Sequence, residues 1–241
     1  MVQHDLHNEK EIHLNGRQVT DSDIASLLPD VIQRSEVLQV LSLNDNALTL
    51  CNDEPILPPP PIFDDEDKGD DTKVDPKGSN SLTIAIGSSN TLSTVELQDN
   101  QIAEVGCINL STALVENKSI KTLKLGGNKI GDEGLKHILT ALCTNDDLHI
   151  EHLDLMNNLI SNDAGAKLAH LVKTNTTLLT LDLSCNSIGD HTIDKLSTAL
   201  ESNSTLQELN LAFNHITDSG CESLAKSLKK NKALKKLWIN R

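Results

Sequence analysis

The chain has 241 residues and is 37% hydrophobic, but it contains only two Phe, one Trp and no Tyr, so we expect an aliphatic core. Its formal net charge of −14 argues against a nucleic-acid backbone or an anionic membrane as the main partner. The first residues do not resemble a secretory signal and no run of 18 apolar residues is present, so we expect no membrane insertion.

Cysteine usage favours a reducing compartment. The cysteines are odd in number and lack C-x-x-C spacing, which is typical of free, mostly buried thiols. They are Cys51, Cys107, Cys143, Cys185 and Cys221. The histidine pairs have no Cys or carboxylate set at metal-ligand spacing. We therefore predict a cytoplasmic, intracellular protein without a structural metal or cofactor.

The chain opens with a polar tail, a strand and a helix. Residues 1–10 are predicted to form a polar tail. The segment EIHLN, which starts at Glu11, alternates apolar and polar residues like a strand. A helix is expected after it, because Ile24, Leu28 and Val31 recur at helical spacing behind Asp and Ser residues that can cap it. Pro29 is expected to interrupt this helix and can introduce a kink.

The next strand, Val40–Asn44, is followed by an insertion at about residues 49–73. The step from LQVLSLNDNAL, at Leu38, to LSTVELQDNQI, at Leu92, is 54 residues, nearly twice the spacing found later in the chain. The inserted segment contains LPPPP and the acidic run DDEDKGDD, and both oppose packed structure. We expect this segment to be disordered and the helix to restart at Asp75–Pro76.

From Leu92 onward one phrase returns at steps of 28, 30, 28, 28 and 28 residues. Its clearest copy is LLTLDLSCNSI, which begins at Leu178 and has the form L-x-x-L-x-L-x-x-N-x-L. The asparagine of each copy can satisfy backbone groups where the chain turns out of the strand. These residues are Asn46, Asn100, Asn128, Asn158, Asn186 and Asn214. A second phrase, N-x-x-L, leads each helix into the next strand and accounts for the N-x-S/T sequons at Asn117, Asn175 and Asn203.

With 28-residue repeats and a full helix in each, the chain resembles the ribonuclease-inhibitor-like subfamily of leucine-rich repeat proteins. The resemblance covers about Glu11 to Asn240. It implies an α/β solenoid of about eight repeats, shaped like a horseshoe, with a parallel β-sheet on the concave face and α-helices on the convex face. The residues favour the same stacking, since one repeat cannot bury its apolar stripe alone. We therefore predict one solenoid domain over residues 11–241.

In such a sheet the consensus leucines point inward, and the residues between them face the concave side. The predicted central column is His13, Ser42, Glu96, Lys124, Asp154, Asp182, Asn210 and Trp238. One flanking column is Glu11, Val40, Thr94, Thr122, His152, Thr180, Glu208 and Lys236, and the other is Asn15, Asn44, Gln98, Gly126, Met156, Ser184, Ala212 and Asn240.

Together, the three columns predict a mildly acidic trough with a basic, aromatic far end. We predict that this trough binds a protein surface bearing Lys or Arg. The predicted partner-binding residues are Glu96, Lys124, His152, Asp154, Asp182, Glu208, Asn210, Lys236 and Trp238. The alternative is that these are ordinary solvated strand positions, which are also polar.

Patterns that could carry chemistry have simpler explanations. The glycine-rich segment Gly126–Gly134 lacks the G-K-[ST] of a phosphate-binding loop and coincides with a repeat turn. Asp154 and Asp182 are expected on adjacent strands about 4.8 Å apart, where one pKa could rise. No nucleophile or oxyanion donor accompanies them, so paired acids awaiting a basic partner are the better explanation. We predict no enzymatic activity.

These features predict a protein-interaction scaffold or a subunit of a larger complex, whose partner is another protein and not nucleic acid. A second predicted docking surface is the lysine-rich C-terminal end, KKLWINR, where an open strand edge would expose Trp238. The alternative function is a regulator, of GTPase-activating type, of a Ran-like small GTPase. Activators of that kind resemble the chain in fold and in carrying an acidic segment. Arg17, in the turn after the first strand, would then meet the GTPase.

Overall fold

The computed structural model describes residues 9–51 and 80–240. Its eight strands form one parallel sheet in which the strands pair in chain order. They are β1 (Glu11–His13), β2 (Val40–Ser42), β3 (Thr94–Glu96), β4 (Thr122–Lys124), β5 (His152–Asp154), β6 (Thr180–Asp182), β7 (Glu208–Asn210) and β8 (Lys236–Trp238). The predicted stack of parallel strands is confirmed. The tail, up to residue 8, and the insertion, from residue 52 onward, lie outside the described residues.

Helices connect successive strands and form the second layer. In the described ranges they are α1 (Asp21–Arg34), α2 (Ser81–Ser88), α3 (Glu104–Glu116), α4 (Gly131–Thr144), α5 (Gly165–Thr174), α6 (Asp190–Ser202) and α7 (Asp218–Leu228). A short 3₁₀ helix, Asn162–Ala164, precedes α5. The α/β solenoid that the repeat predicts is therefore the observed fold. No helix in residues 9–51 or 80–240 is long and apolar enough to cross a membrane.

The first two helices show how the sequence sets their limits. The helix α1 runs from Asp21 to Arg34, as its apolar spacing predicts, but the expected interruption at Pro29 is wrong, because the helix continues through it. The helix α2 begins at Ser81, because the side chain of Asn80 accepts the N–H of Leu82 at 2.9 Å and caps it. The predicted restart at Asp75–Pro76 lies outside the described residues.

The core between the layers is aliphatic, as the composition predicts. The middle residue of each strand from β1 to β7 is buried, and these residues stack in register: Ile12, Leu41, Val95, Leu123, Leu153, Leu181 and Leu209. Burying one such side chain stabilises the fold by roughly 1.5–3 kcal/mol. In the described part of the chain, both Phe213 and Trp238 are exposed.

The predicted asparagine ladder is confirmed, and Asn186 illustrates it. Its Nδ2 donates to the carbonyl oxygens of Leu155 and Leu183 at 3.0 Å, so it joins two neighbouring repeats. Its Oδ1 accepts the N–H groups of Asn158 and Ile160 at 2.9 and 3.0 Å. One buried side chain thus satisfies backbone groups that the turn removes from the sheet.

A second set of asparagines ends the helices. The Nδ2 of Asn117 donates to the carbonyl oxygen of Ile86 at 2.8 Å, and its Oδ1 accepts the N–H groups of Ser119 and Ile120 at 2.8 Å. The same bonds recur at Asn203, which is also buried. These sequon asparagines are therefore structural residues, as the repeat phrase predicts.

Candidate functional site

The concave face carries the predicted columns in the predicted register. Asp154 pairs with Asp182, and Asp182 pairs with Asn210, which pairs with Trp238. Each strand from β3 to β7 has a buried middle residue between two partly exposed ones. The structure therefore places all nine predicted site residues on this face: Glu96, Lys124, His152, Asp154, Asp182, Glu208, Asn210, Lys236 and Trp238.

Glu96 is already paired within the chain. Its carboxylate accepts from Nζ of Lys124 at 2.7 Å and from the hydroxyl of Ser42 at 2.7 Å. Burial works against the charge, but the bonds from Lys124 and Ser42 outweigh burial and hold the pKa of Glu96 below its usual value. The side chain of Glu96 is only 18% exposed. Glu96 and Lys124 therefore neutralise each other at this end of the trough.

Glu208 is paired in the same way at the far end, where Nζ of Lys236 lies 2.6 Å from its Oε1. Between these two ion pairs lie Asp154 and Asp182. Neither aspartate has a lysine or arginine within ion-pair distance among the described residues. The acids of the trough are thus of two kinds, neutralised at the ends and unneutralised in the middle.

Asp154 reaches across a neighbouring strand. Its Oδ2 accepts from Nε2 of Gln98 at 2.8 Å, although Gln98 lies beyond β3 and Asp154 on β5. Gly126, beyond the strand between them, makes room, since a Cβ atom there would lie 3.1 Å from the carboxylate. Burial raises the pKa of Asp154, and the nearby charge of Asp182 raises it further. Three contributions offset this rise only in part: the N–H of Met156, which Oδ1 accepts at 2.9 Å, the more distant charge of Lys124, and the bond from Gln98.

Asp182 accepts hydrogen bonds from neutral donors. Its Oδ1 accepts from the N–H and the hydroxyl of Ser184 at 2.9 and 2.6 Å. Its Oδ2 accepts from Nδ2 of Asn210 at 2.9 Å. These bonds fix the direction of the carboxylate without cancelling its charge. The two aspartates thus form a fixed, unneutralised anionic centre on the floor of the trough.

A shallow groove of about 560 Å³ lies over this centre. Its lining includes His152, Trp238 and both aspartates. The ring of His152 is held by Thr180, whose Oγ1 is 2.9 Å from Nδ1. Trp238 is 41% exposed and forms one end of the groove. The groove can therefore receive a cationic side chain, with an aromatic surface beside it.

The residues considered for chemistry keep structural roles. The segment Gly126–Gly134 runs from the end of β4 into α4 and forms the repeat turn, with positive φ at Gly127 and Gly131. His149 contacts the carbonyl oxygen of Asp147 at 2.8 Å and does not share a partner with His152. In residues 9–51 and 80–240 no three His, Cys, Asp or Glu side chains form a group that could hold a metal ion.

Three lysines of the lysine-rich end have acidic partners within the chain, and the docking role predicted for this end stays a prediction. Lys226 is paired with Glu222 at 3.0 Å, Lys230 with Glu201 at 2.8 Å, and Lys236 with Glu208 at 2.6 Å. Part of the basic charge there is therefore matched by acids of the same or the preceding repeat. The sequence could not show this, because these acids precede the lysines by between four and 29 positions.

Sequence reasoning missed two features of this face. One is the link between Gln98 and Asp154, whose only signal is a glycine at position 126, where most neighbouring repeats carry a larger residue. The other is a group of exposed apolar side chains beside the trough, among them Leu159 and Phe213. Their signal is the replacement of polar turn residues by apolar ones in the later repeats.

Comparison with known proteins agrees with this architecture. The family model described as "Leucine Rich repeat" matches residues 88–111, 116–139, 174–191 and 202–225. These four stretches are therefore similar to leucine-rich repeats, and the eight-stranded structure that contains them is an α/β leucine-rich repeat solenoid. The closer resemblance to the ribonuclease-inhibitor-like subfamily stays a prediction.

Solved structures that match the chain include an internalin from Listeria monocytogenes and actin-binding site 2 of leiomodin-1. The internalin is 17% identical, with a TM-score of 0.45 over 86% of this chain and 43% of its own. The leiomodin-1 site is 19% identical, with a TM-score of 0.36 over 62% of this chain and 72% of its own. The chain thus spans less than half the length of the internalin. No curated protein matches it in sequence.

Proposed function

We propose that the protein is a non-enzymatic protein-interaction module whose concave face binds a partner protein presenting Lys or Arg. The observation that carries this proposal is the pair Asp154 and Asp182. They lie in register on adjacent strands and have no cationic ion-pair partner among the described residues. The two other acids among the predicted partner-binding residues, Glu96 and Glu208, are each paired with a lysine of this chain.

The energetics of the pair support a binding role. Holding two carboxylates side by side, one of them largely buried, costs folding free energy, and the raised pKa of Asp154 expresses that cost. A lysine or arginine from a partner would relieve the repulsion and use the free lone pairs of both carboxylates. Close charge pairs at protein interfaces contribute roughly 1.5–7 kcal/mol of coupling energy.

The wider role that we propose is that of a scaffold or subunit in a larger complex. The concave face is the favoured docking surface. The lysine-rich end formed by α7 and β8 is a weaker candidate, because Lys226, Lys230 and Lys236 already have acidic partners within the chain. A partner on that end would have to exchange those ion pairs for its own.

The test is affinity capture from native lysate, with the full chain as bait, followed by mass spectrometry. The double variant Asp154→Asn, Asp182→Asn removes the anionic centre. The control Glu104→Gln, Glu116→Gln removes the same charge from exposed positions on the convex helix α3. We expect a stoichiometric partner to be lost about tenfold or more with the concave variant, equivalent to about 1.4 kcal/mol, and kept with the control.

A partner recovered equally with all three baits would overturn the concave site. Loss with both variants would show attraction to net charge alone, which also contradicts the proposal. Asp182→Asn alters a carboxylate that accepts three hydrogen bonds, so the circular dichroism of the double variant is compared with that of the unchanged chain to separate loss of the fold from loss of the site.

A second candidate function is the regulation of a Ran-like small GTPase. Arg17 favours it, because it is exposed in the turn after β1 while its backbone N–H is fixed by Oδ1 of Asn46 at 3.1 Å. An inserted arginine can accelerate phosphoryl transfer by stabilising the transition-state charge. Stimulated GTP turnover that disappears with Arg17→Ala but persists with Arg34→Ala would favour this function over the scaffold.

A further inference from the structure

The exposed large apolar side chains are concentrated at one end of the solenoid. Five of the seven in the described part of the chain belong to the last four repeats: Met156, Leu159, Phe213, Trp238 and Ile239. The other two, Ile84 and Val115, lie on the convex helices α2 and α3. A local concentration of apolar surface beside polar residues marks an interaction surface more often than scattered single residues do.

The turns that leave the strands show where this surface begins. Asn157, Cys185 and Phe213 occupy the same position in successive turns, since each donates its backbone N–H to a carbonyl of the next repeat at 2.8–2.9 Å. In earlier repeats this position is held by Asp45 and Asp99, which are exposed. This position thus changes from Asp in the early repeats, through Gly127 and Asn157, to Cys185 and Phe213 in the later ones. We call Met156, Leu159, Cys185 and Phe213 the apolar rim.

The apolar rim runs parallel to the anionic centre. Met156 and Ser184 each lie two positions beyond an aspartate of the centre and donate their N–H groups to it at 2.9 Å. Two residues along a strand correspond to about 6.6–6.8 Å, so Met156 is the rim residue that lies about this far from the acidic row, and the rest of the rim follows in the turns beyond the strands. A partner that contacts Asp154 and Asp182 and continues past the ends of the strands therefore meets Met156 first and then the rest of the rim.

We propose that the occupant is an amphipathic helix of the partner protein, with Lys or Arg facing Asp154 and Asp182 and apolar side chains covering the rim. The basic row of this helix is complementary in charge to the two aspartates. Its apolar row would cover the exposed side chains of Leu159 and Phe213. The strands β5 to β8 span about 14 Å at about 4.8 Å each, which is nearly three helical turns of 5.4 Å. Side chains at i, i+4 and i+7 can then meet successive repeats.

This inference rests on the proposed function and names the chemistry of its partner. Its test uses the full chain and three fluorescent helical peptides of about 18 residues. The first carries a lysine row beside a leucine row, the second has serine in place of leucine, and the third has glutamate in place of lysine. Fluorescence anisotropy at about 150 mM salt measures the Kd, so that loose attraction to the net charge is screened.

The variants separate the rim from the rest of the surface. Leu159→Asn and Phe213→Asn suit the positive φ of 62° and 56° at these positions, so the turns are preserved. The controls Ile84→Gln and Val115→Gln remove apolar side chains that are 44% and 48% exposed on helices. We expect only the lysine–leucine peptide to bind, and the rim variant to weaken it about tenfold while the control leaves Kd unchanged.

Three outcomes would overturn the inference: no binding of the lysine–leucine peptide, equal binding of the lysine–serine peptide, or equal weakening by the rim and control variants. In the second case, a loss of binding in the Asp154→Asn, Asp182→Asn variant would leave the proposed function standing. The proposed function would be contradicted by a different result, namely affinity capture that recovers the same amount of partner with this variant as with the unchanged chain.

Discussion

Asp154 and Glu96 lie in the same column of the sheet, two strands apart, yet their surroundings act on their charges in opposite directions. Burial raises the pKa of Asp154, and the carboxylate of Asp182 adds to the rise. Burial also opposes the charge of Glu96, but hydrogen bonds from Lys124 and Ser42 lower its pKa. The fold therefore disfavours one carboxylate and favours the other, which is the pattern expected when stability is given up at a binding site.

At this residue scale we expect Asp154→Asn to raise the free energy of unfolding at pH 7. A carboxyl whose pKa is raised by folding stabilises the protein below its unfolded value of 3.8, and that contribution is lost as the pH rises through the folded value. The gain of the variant should therefore shrink as the pH falls toward 3.8. Urea unfolding of both proteins over this pH range measures it. The amide can keep the bond from Met156, since its oxygen also accepts.

Glu96→Gln is the matched control and should have the opposite sign. A lowered pKa contributes stability above the unfolded value of 4.5, and this is lost as the pH falls through the folded value. Glu96→Gln should therefore lower the free energy of unfolding at pH 7 and matter less in acid. If Asp154→Asn destabilises the protein at pH 7 as Glu96→Gln does, the anionic centre is not a site of stored repulsion.

At the scale of the turn, the asparagine ladder makes a graded prediction. Asn186→Ala leaves buried N–H and C=O groups of two repeats without partners, so we expect a loss of about 3 kcal/mol of unfolding free energy. Asn158→Ala should cost less, about 1 kcal/mol, because Oδ1 of Asn158 is buried without a hydrogen-bond partner in the described structure. Chemical denaturation compares the two. Equal losses would mean that the asparagines contribute volume and not hydrogen bonds.

The sequence predicts the strands and columns because its apolar pattern allows one register. Leu181 and Leu183 must both point inward, which forces Asp182 outward, and identical phrases force identical positions in the neighbouring strands. The trough and its nine residues follow from this alternation. The asparagine turns are predictable for the same reason, since a side chain that must replace backbone partners recurs at each turn.

The repeat pattern does not determine which charged side chains of the trough have no ion-pair partner. The bond from Gln98 to Asp154 depends on the absence of a side chain at Gly126 and on the rotamers of Gln98 and Asp154 themselves. The pairing of Lys236 with Glu208 depends on the contact between β7 and β8. The 3₁₀ helix at Asn162–Ala164 lies in a repeat of the regular length of 28 residues, so the repeat pattern gives no signal for it.

At the scale of the whole molecule, one boundary differs from the other repeat boundaries that the structure describes. In the regular turns, the N–H after the ladder asparagine bonds back to the preceding repeat, as in Ser187 to Ile160 at 2.8 Å and His215 to Ile188 at 2.8 Å. Between β4 and β5, Gly131 instead donates forward to the carbonyl oxygen of Asn158 at 2.9 Å. The 3₁₀ helix then delays α5 until Gly165. We infer that the solenoid opens most readily between α4 and α5.

Repeats contact only their neighbours, so such a boundary should divide the effects of core mutations. Leu110, in α3, and Leu168, in α5, are both fully buried, and replacing either by Ala should cost about 2–5 kcal/mol. We expect Leu110→Ala to speed hydrogen exchange in α3 and α4 while α6 and α7 stay protected, and Leu168→Ala to do the reverse. Mass spectrometry of the exchanged peptides reads out each helix. Exchange that rises equally in all helices for both variants would show that the solenoid is one cooperative unit. The half that carries the anionic centre would then not unfold independently of the other half.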